Sequence, residues 1–122
     1  MTVTLYGIPN CDTVKKARAW LAAREIPYNF HDYKKQGADA DRITGWIGKA
    51  GLDKVLNKAG TTWRKLDPAQ KADLDESKAV ALMVDQPSMI KRPIIEYPGG
   101  LLMGFKEAEW VVTFAAHNQP SG

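Results

Sequence analysis

The order of hydrophobic and polar residues near the start of the chain predicts a strand followed by a helix. Residues 3–7 alternate in a β-favouring pattern, which breaks over the segment 7–10. Apolar residues then recur at helical spacing, and this predicts a helix from about Thr13 to Arg24 with one buried face. The only cysteine of the chain, Cys11, therefore falls at the turn between the strand and the helix.

A second strand and a loop are predicted next. Ile26 and Pro27 end the helix, and the aromatic-rich segment 28–33 has the composition of a strand. Because the connection is so short, the simplest unit is strand, helix, strand, and a right-handed crossover makes its two strands parallel. Lys34–Gly37 is predicted to be a loop.

The middle of the chain carries helical patterns and no strand pattern. Asp39 or Asp41 can cap a helix whose apolar residues follow the spacing of one helical face, at Ile43, Trp46, Ile47 and Ala50. Shorter helices are predicted at about 52–56 and after Asp67–Pro68. A further helix is predicted at about 75–84, with three inward-facing residues, Ala79, Val80 and Met83.

The pattern returns to strands near the end of the chain. Residues 94–97 and 101–103 flank Pro98–Gly100 and predict an antiparallel hairpin, and residues 106–114 predict a closing helix. The polar segment 116–122 is predicted to be a frayed tail. The resulting order of elements indicates an α/β architecture with a mixed sheet. It matches the thioredoxin-like fold with an all-helical insertion, although other α/β sandwiches fit the same order.

Composition and charge exclude several classes of protein. The chain has 122 residues, of which 44% are hydrophobic and 25% charged, which is typical of one globular domain with an ordinary core. Its net charge of +3 is carried by basic residues spread along the chain, too few to predict nucleic-acid binding. No apolar run is long enough to span a bilayer, and the first residues predict a strand where a signal peptide would begin. A cytoplasmic protein is predicted.

The single cysteine limits the available redox chemistry. One thiol cannot form an internal disulfide or a cysteine-rich zinc site, so any redox cycle needs a thiol from another molecule. A lone cysteine in a cytosolic protein is often only a small buried hydrophobic residue. The helix start after Cys11 favours a different interpretation, because the free N–H groups of a first helical turn stabilise a thiolate.

Three segments together carry a resemblance to a known family. Residues 5–13 (LYGIPNCDT), 56–66 (LNKAGTTWRKL) and 90–95 (IKRPII) resemble the arsenate reductase-related (ArsC-like) family, in particular its YffB branch beside Spx and MgsR. The resemblance covers about residues 2–115. It implies a single thioredoxin-like domain, with a core at about 2–34 and 87–115 and a helical insert at about 38–86.

The resemblance also implies a set of site residues. Cys11 matches the nucleophile of the family, and Arg92 matches an arginine that binds an anion or glutathione. Pro93 stands where the thioredoxin-like fold has a cis-proline facing the active cysteine. Val14 occupies the position at which thioredoxins and Spx-like regulators carry a second cysteine, so no resolving thiol is present.

Other positions either complete this site or depart from the family. Asn10, Asp12 and Thr13 are expected to shape the loop around the thiol and to help bind an anion or glutathione. Two further arginines of the family are not matched, because Asn57 stands at one position and Gly104 near the other. Efficient arsenate reduction is therefore not expected, since a tetrahedral oxyanion needs several charge-assisted donors. Arg64 is a weaker candidate to substitute for a missing arginine.

The expected function is that of a glutathione-dependent thiol–disulfide oxidoreductase related to arsenate reductase. In this mechanism the Cys11 thiolate forms a mixed disulfide, which glutathione resolves. Glutathione is the expected co-substrate, glutaredoxin a further candidate partner, and no bound cofactor is expected. A monomer is expected, without membrane or direct nucleic-acid contact. The alternatives are a Spx-like, non-catalytic regulator that binds RNA polymerase and a true arsenate reductase.

The remaining candidates for chemistry are weaker. His31 and His117 have no partners at metal-ligand or catalytic-triad spacing, so surface or packing roles are predicted for both and no metal site is predicted. The four tryptophans are interpreted mainly as packing residues, and Trp63, beside Arg64, as one that could border the cleft.

Overall fold

The structure, a computed structural model, describes residues 3–115. The chain divides into two compact units, one formed by the residues up to His31 and from Arg92 onward, the other by Asp32–Lys91. The domain bounds given above stay a prediction, and the tail predicted at 116–122 lies outside the described residues. In the part of the chain that is described, no helix has both the length and the apolar content of a membrane span.

The first unit contains a four-stranded sheet. Its strands are β1 (Thr4–Gly7), β2 (Asn29–Asp32), β3 (Ile94–Tyr97) and β4 (Gly100–Met103), in the order β2-β1-β3-β4. β3 pairs antiparallel with both β1 and β4. The mixed four-stranded sheet with flanking helices that the sequence predicts is confirmed.

Two helices, α1 (Asp12–Ala23) and α8 (Glu107–Thr113), supply side chains to the core of this unit. The buried face of α1 follows the predicted helical spacing, and four of its residues are buried: Val14, Ala17, Trp20 and Leu21. They pack with Val3, which precedes β1, with the sheet residues Leu5, Ile95 and Leu102, and with the aromatic rings of Trp110 and Phe114. The Trp20 and Trp110 rings meet edge to face with centroids 5.6 Å apart, a favoured aromatic arrangement.

The predicted hairpin is confirmed with a tighter turn than expected. Tyr97 pairs directly with Gly100, so only Pro98 and Gly99 form the turn. Gly99 has a φ of 102°, a backbone conformation that residues with a Cβ rarely adopt. Gly100, which the sequence pattern placed in the turn, is the first residue of β4.

The second unit is helical. It contains α2 (Tyr33–Gln36), α3 (Ala40–Ala50), α4 (Leu52–Val55), α5 (Thr61–Arg64), α6 (Pro68–Lys71), α7 (Glu76–Asp85) and a 3-10 helix (Pro87–Met89). Asp39 caps α3 and Asp75 caps α7, each by accepting a hydrogen bond from a first-turn backbone N–H. The apolar residues predicted to face inward on α7 are buried, as are Ile43, Trp46 and Ile47 on α3. An isolated antiparallel bridge joins Leu56 to Ile90.

The prediction of a loop at Lys34–Gly37 is wrong. The chain forms the short helix α2 there, because the Asp32 carboxylate accepts a hydrogen bond from the Lys34 N–H at 2.8 Å. The side-chain oxygen of Gln36 accepts a hydrogen bond from the Asp32 N–H at 3.1 Å. This bond joins the N-cap residue of α2 to the last residue of the helix. Gly37 then ends the helix with a φ of 71°. The one-turn helix α5 was not predicted.

Candidate active site around Cys11

Cys11 is the N-cap residue of α1. Its backbone is extended, with φ −85° and ψ 126°, and its carbonyl accepts the hydrogen bond from the Lys15 N–H at 2.9 Å that begins the helix. Its own N–H donates to the Ile8 carbonyl at 3.1 Å, which closes the turn after β1. No side chain caps the helix. The thiol therefore adjoins first-turn N–H groups whose partial positive charge favours an anion.

The thiol is held by the core and also open to solvent. Cys11 is a free cysteine of intermediate exposure, and its side chain packs against the edge of the hydrophobic core of the first unit. The residue is therefore neither sealed in the core nor fully exposed. The position differs from that of a fully buried structural cysteine, which is chemically inert.

The segment Arg92–Pro93 lies at the same end of the sheet as the cysteine loop. Tyr6 pairs with Ile94 in the antiparallel register of β1 and β3. The loop that follows β1 and the segment that precedes β3 are therefore neighbours at the same end of the sheet. The Arg92–Pro93 peptide bond is cis, as the resemblance implies, and Arg92 is half-buried.

The other predicted site residues fall into two groups. Asn10, Asp12 and Thr13 flank Cys11 in the chain, and their side chains are exposed around the helix start. Arg64 belongs to the second unit, where it is exposed and its guanidinium donates to the Ala59 carbonyl at 3.1 Å. The roles of these four residues in binding stay predictions.

Gly104 and Asn57, which replace the family arginines, have defined local roles. Gly104 is buried with a φ of 77°; its N–H donates to the Pro93 carbonyl at 2.7 Å and its carbonyl accepts from the Trp110 indole at 3.2 Å. A residue with a Cβ is strained in this conformation. The Asn57 side chain accepts a hydrogen bond from the Ala59 N–H at 3.1 Å and so shapes the turn before α5.

A polar contact across the sheet was not predicted. The Tyr6 hydroxyl donates to the Glu96 carboxylate at 2.5 Å, and the Tyr6 ring lies 4.9 Å from the His31 ring. Tyr6 alternates with Leu5, whose side chain enters the core described above, so this contact lies on the opposite face of the sheet. His31, for which a surface or packing role is predicted, is half-buried beside the Tyr6 ring, whereas His117 lies outside the described residues. Only the register of β1 and β3, which local patterns do not give, could have revealed the contact.

Two further predictions concern metals and tryptophans. Within residues 3–115, no three His, Cys, Asp or Glu side chains cluster in an arrangement that could hold a metal ion. Trp20, Trp46 and Trp110 are buried packing residues, as predicted, while Trp63 on α5 is half-exposed.

Comparisons with known proteins agree with this geometry. The family model described as the ArsC family matches residues 6–113. A solved YffB protein is 53% identical with a TM-score of 0.86, over 96% of this chain and 99% of that one. A solved arsenate reductase (ArsC) related protein from Brucella melitensis is 48% identical with a TM-score of 0.73, over 93% and 95% of the two chains.

A regulator is also among the relatives. The global transcriptional regulator Spx of Listeria innocua is 31% identical over 112 residues, which are 88% of this chain and 82% of the regulator. The relatives thus include both arsenate reductase-related proteins and a regulator of transcription. Because the family model spans nearly the whole described chain, this chain belongs to the ArsC family.

Proposed function

We propose that this protein is a cytoplasmic, glutathione-dependent thiol–disulfide oxidoreductase of arsenate reductase-like ancestry. The observation that carries the proposal is the position of Cys11, a half-exposed thiol at the uncapped start of a 12-residue helix. The thiolate is the reactive form of cysteine, and reactive cysteines are found at helix starts that another molecule can reach. Because the chain has no second cysteine, the partner thiol is supplied by another molecule.

The proposed reaction has two exchange steps. In the first, the Cys11 thiolate attacks the glutathione sulfur of a substrate–glutathione disulfide. A bond forms between Cys11 and glutathione, and the substrate leaves as a thiolate. In the second step, the thiolate of another glutathione molecule attacks the glutathione sulfur bound to Cys11. Oxidised glutathione leaves and the Cys11 thiolate is regenerated. The net reaction consumes one glutathione and converts the mixed disulfide into the substrate thiol and oxidised glutathione.

Arg92 is the proposed anchor for glutathione. The peptide carries two carboxylates, and a guanidinium can donate two parallel hydrogen bonds to a carboxylate. Arg92 is half-buried and precedes β3 at the end of the sheet where the cysteine loop also lies. Asn10, Asp12 and Thr13 are proposed to shape the surface around the sulfur. Glutathione acts as co-substrate, without a bound cofactor and with glutaredoxin as a candidate partner. The active form is proposed to be a monomer.

The proposal is tested by intact-mass analysis after incubation with oxidised glutathione. We expect one glutathione adduct per chain, none in Cys11→Ser, and release of the adduct by reduced glutathione. Turnover of a small glutathione mixed disulfide, measured with glutathione reductase and NADPH, should also disappear in Cys11→Ser. A wild-type protein that is folded, accepts no adduct and reduces no mixed disulfide would exclude the proposed chemistry.

The similarity to Spx favours a second candidate, a non-catalytic regulator that binds RNA polymerase. The missing second cysteine removes internal disulfide switching but does not prevent binding. Co-purification of tagged protein with purified polymerase subunits tests this candidate. Binding that is equal in wild type and in Cys11→Ser, combined with no turnover of mixed disulfides, would favour the regulator over the enzyme.

Arsenate reduction is less well supported. Asn57 and Gly104 leave Arg92 as the one family arginine matched, and the backbone conformation of Gly104 disfavours any side chain there. A tetrahedral oxyanion at Cys11 could accept hydrogen bonds from the helix start and from one arginine. Tight binding of such an anion needs several charge-assisted donors.

A further inference from the structure

The net positive charge of the protein is concentrated in one part of its second unit. Residues 52–71 contain five of the 17 basic residues but only two of the 14 acidic residues. The rest of the chain holds equal numbers of each, so this segment accounts for the whole net charge of +3. The basic residues are Lys54, Lys58, Arg64, Lys65 and Lys71. Except for Arg64 and Lys65 they are not adjacent in the sequence, which is why the spread of charge along the chain did not predict a patch.

The fold brings several of these cations together around Trp63. The Lys58 ammonium lies 5.5 Å from the centre of the Trp63 ring and the Lys71 ammonium 5.6 Å, both within the range of a cation–π contact. Lys71 also donates to the Arg64 carbonyl at 3.5 Å. The patch is therefore held in place by contacts within residues 58–71.

The charges of the patch are not neutralised within the described chain. Among residues 3–115, none of the five basic side chains has a carboxylate oxygen within 4.0 Å. Asp67 is engaged elsewhere, because its side chain caps α6 together with Gln70. Lys54, Lys58, Arg64 and Lys65 are exposed, so a partner can reach them.

We infer that this surface, formed by the basic residues of the segment 52–71 with Lys58, Arg64 and Lys71 at Trp63, binds an acidic segment of a partner protein. Charge complementarity selects the partner, since uncompensated cations at one surface attract carboxylates and accelerate association. The patch has five basic residues and the net charge of the protein is only +3, which limits the number of phosphates that a nucleic acid could contact there. Trp63 is half-buried with lysines at its ring, so it does not offer a free face on which bases could stack.

The inference is independent of the thiol chemistry and is tested by direct binding. The probe is a fluorescein-labelled oligoglutamate peptide, titrated with the full chain and followed by anisotropy. We expect Lys58→Gln/Lys65→Gln to bind the peptide about fivefold or more weakly than wild type, because two exposed charge contacts are removed. Lys34→Gln/Lys35→Gln is the matched control, since it removes the same charge from exposed lysines outside the patch. Its binding should change less than twofold, because exposed charges outside the patch contribute little to a contact that they do not make.

Two further measurements locate and identify the contact. The peptide should alter tryptophan emission in wild type but not in Trp63→Phe, because the other three tryptophans are buried. A single-stranded oligonucleotide of equal charge should bind more weakly than the peptide. Equal losses in the two double variants, an emission change that survives Trp63→Phe, or tighter binding of the oligonucleotide would each overturn the inference. Lys65→Gln alone, expected to be intermediate, serves if the double variant does not fold.

Discussion

Gly7 lies so close to Val14 that a β-carbon on Gly7 would stand 2.7 Å from the Val14 Cγ2 atom. Real β-carbons essentially never approach another heavy atom so closely. Val14 is fully buried, so it cannot move outward to make room. The absence of a side chain on the last residue of β1 therefore allows α1 to pack directly against it, and this packing fixes the helix start that carries Cys11.

The first prediction follows from this contact. Gly7→Ala should lower the free energy of unfolding by about 1–3 kcal/mol, because overpacking of a well-filled core forces side chains and backbone to shift. Urea denaturation of the purified variant measures the change. Gly45→Ala is the matched control: Gly45 lies within α3, and a β-carbon there meets nothing within 4 Å. It should be neutral or stabilise the protein by up to about 1 kcal/mol. Equal stability of wild type and Gly7→Ala would contradict this account.

The second prediction concerns the hydrogen bond between Tyr6 and Glu96. Tyr6→Phe should destabilise the protein by about 1–2 kcal/mol, because it removes a bond to a carboxylate and keeps the buried ring in place. The measurement is a double-mutant cycle with Glu96→Gln in urea. A coupling energy near zero would mean that the 2.5 Å contact contributes nothing to stability.

Local signals are sufficient for most of the fold. The alternation of residues 3–7 and the spacing of Val14, Ala17 and Leu21 predict β1 and α1 because both patterns are complete within a few residues. The same reasoning fails at α5, whose single turn is too short for apolar periodicity. A hydrogen bond from outside that turn contributes to its position, since the Thr62 and Ser88 hydroxyls lie 2.6 Å apart. Sequence patterns do not show such contacts.

The candidate site was predictable only where it depends on residues that are neighbours in the sequence. Cys11 at the start of a helix follows from residues that adjoin it, whereas its relation to Arg92 depends on the pairing of Tyr6 with Ile94, far apart in the chain. Only the resemblance to a family indicated that relation. The contact between Tyr6 and Glu96, ninety positions apart, was beyond both sources. The local patterns place each residue in a strand but do not pair the two strands, and the motifs of the resemblance do not include Glu96.

A third prediction concerns the arginine positions that this chain lacks. Gly104→Arg should destabilise the protein by about 1–2 kcal/mol, because a residue with a Cβ is strained at a φ of 77° and the site is buried. The variant should not gain arsenate reduction, alone or with Asn57→Arg. Thermal melting and an assay of arsenate-dependent NADPH oxidation measure the two effects. Asn57→Arg alone is the control for the added charge, and arsenate turnover in the Gly104→Arg variant would show that the strain is accommodated.

The fourth prediction tests whether Arg92 recognises glutathione. Arg92→Ala should lower kcat/KM for release of the Cys11–glutathione adduct by reduced glutathione about ten- to a hundredfold, the value of a lost charge-assisted hydrogen bond. Lys91→Ala is the matched control, because it removes the neighbouring exposed cation and leaves intact the backbone bond from its N–H to the Val55 carbonyl. Its effect should be less than about twofold, as expected of an exposed, screened charge.

A neutral thiol separates recognition from structure in the same variants. 2-Mercaptoethanol carries no carboxylate, so Arg92→Ala should slow release by this thiol much less than release by glutathione. If Arg92 served only to hold the Arg92–Pro93 segment in place, both thiols would lose rate together, because each must reach the same sulfur. Arg92→Lys should recover part of the glutathione rate, since it restores the charge but not the paired donors of the guanidinium. A loss that is equal for the two thiols and not recovered by lysine would assign Arg92 to structure rather than to binding.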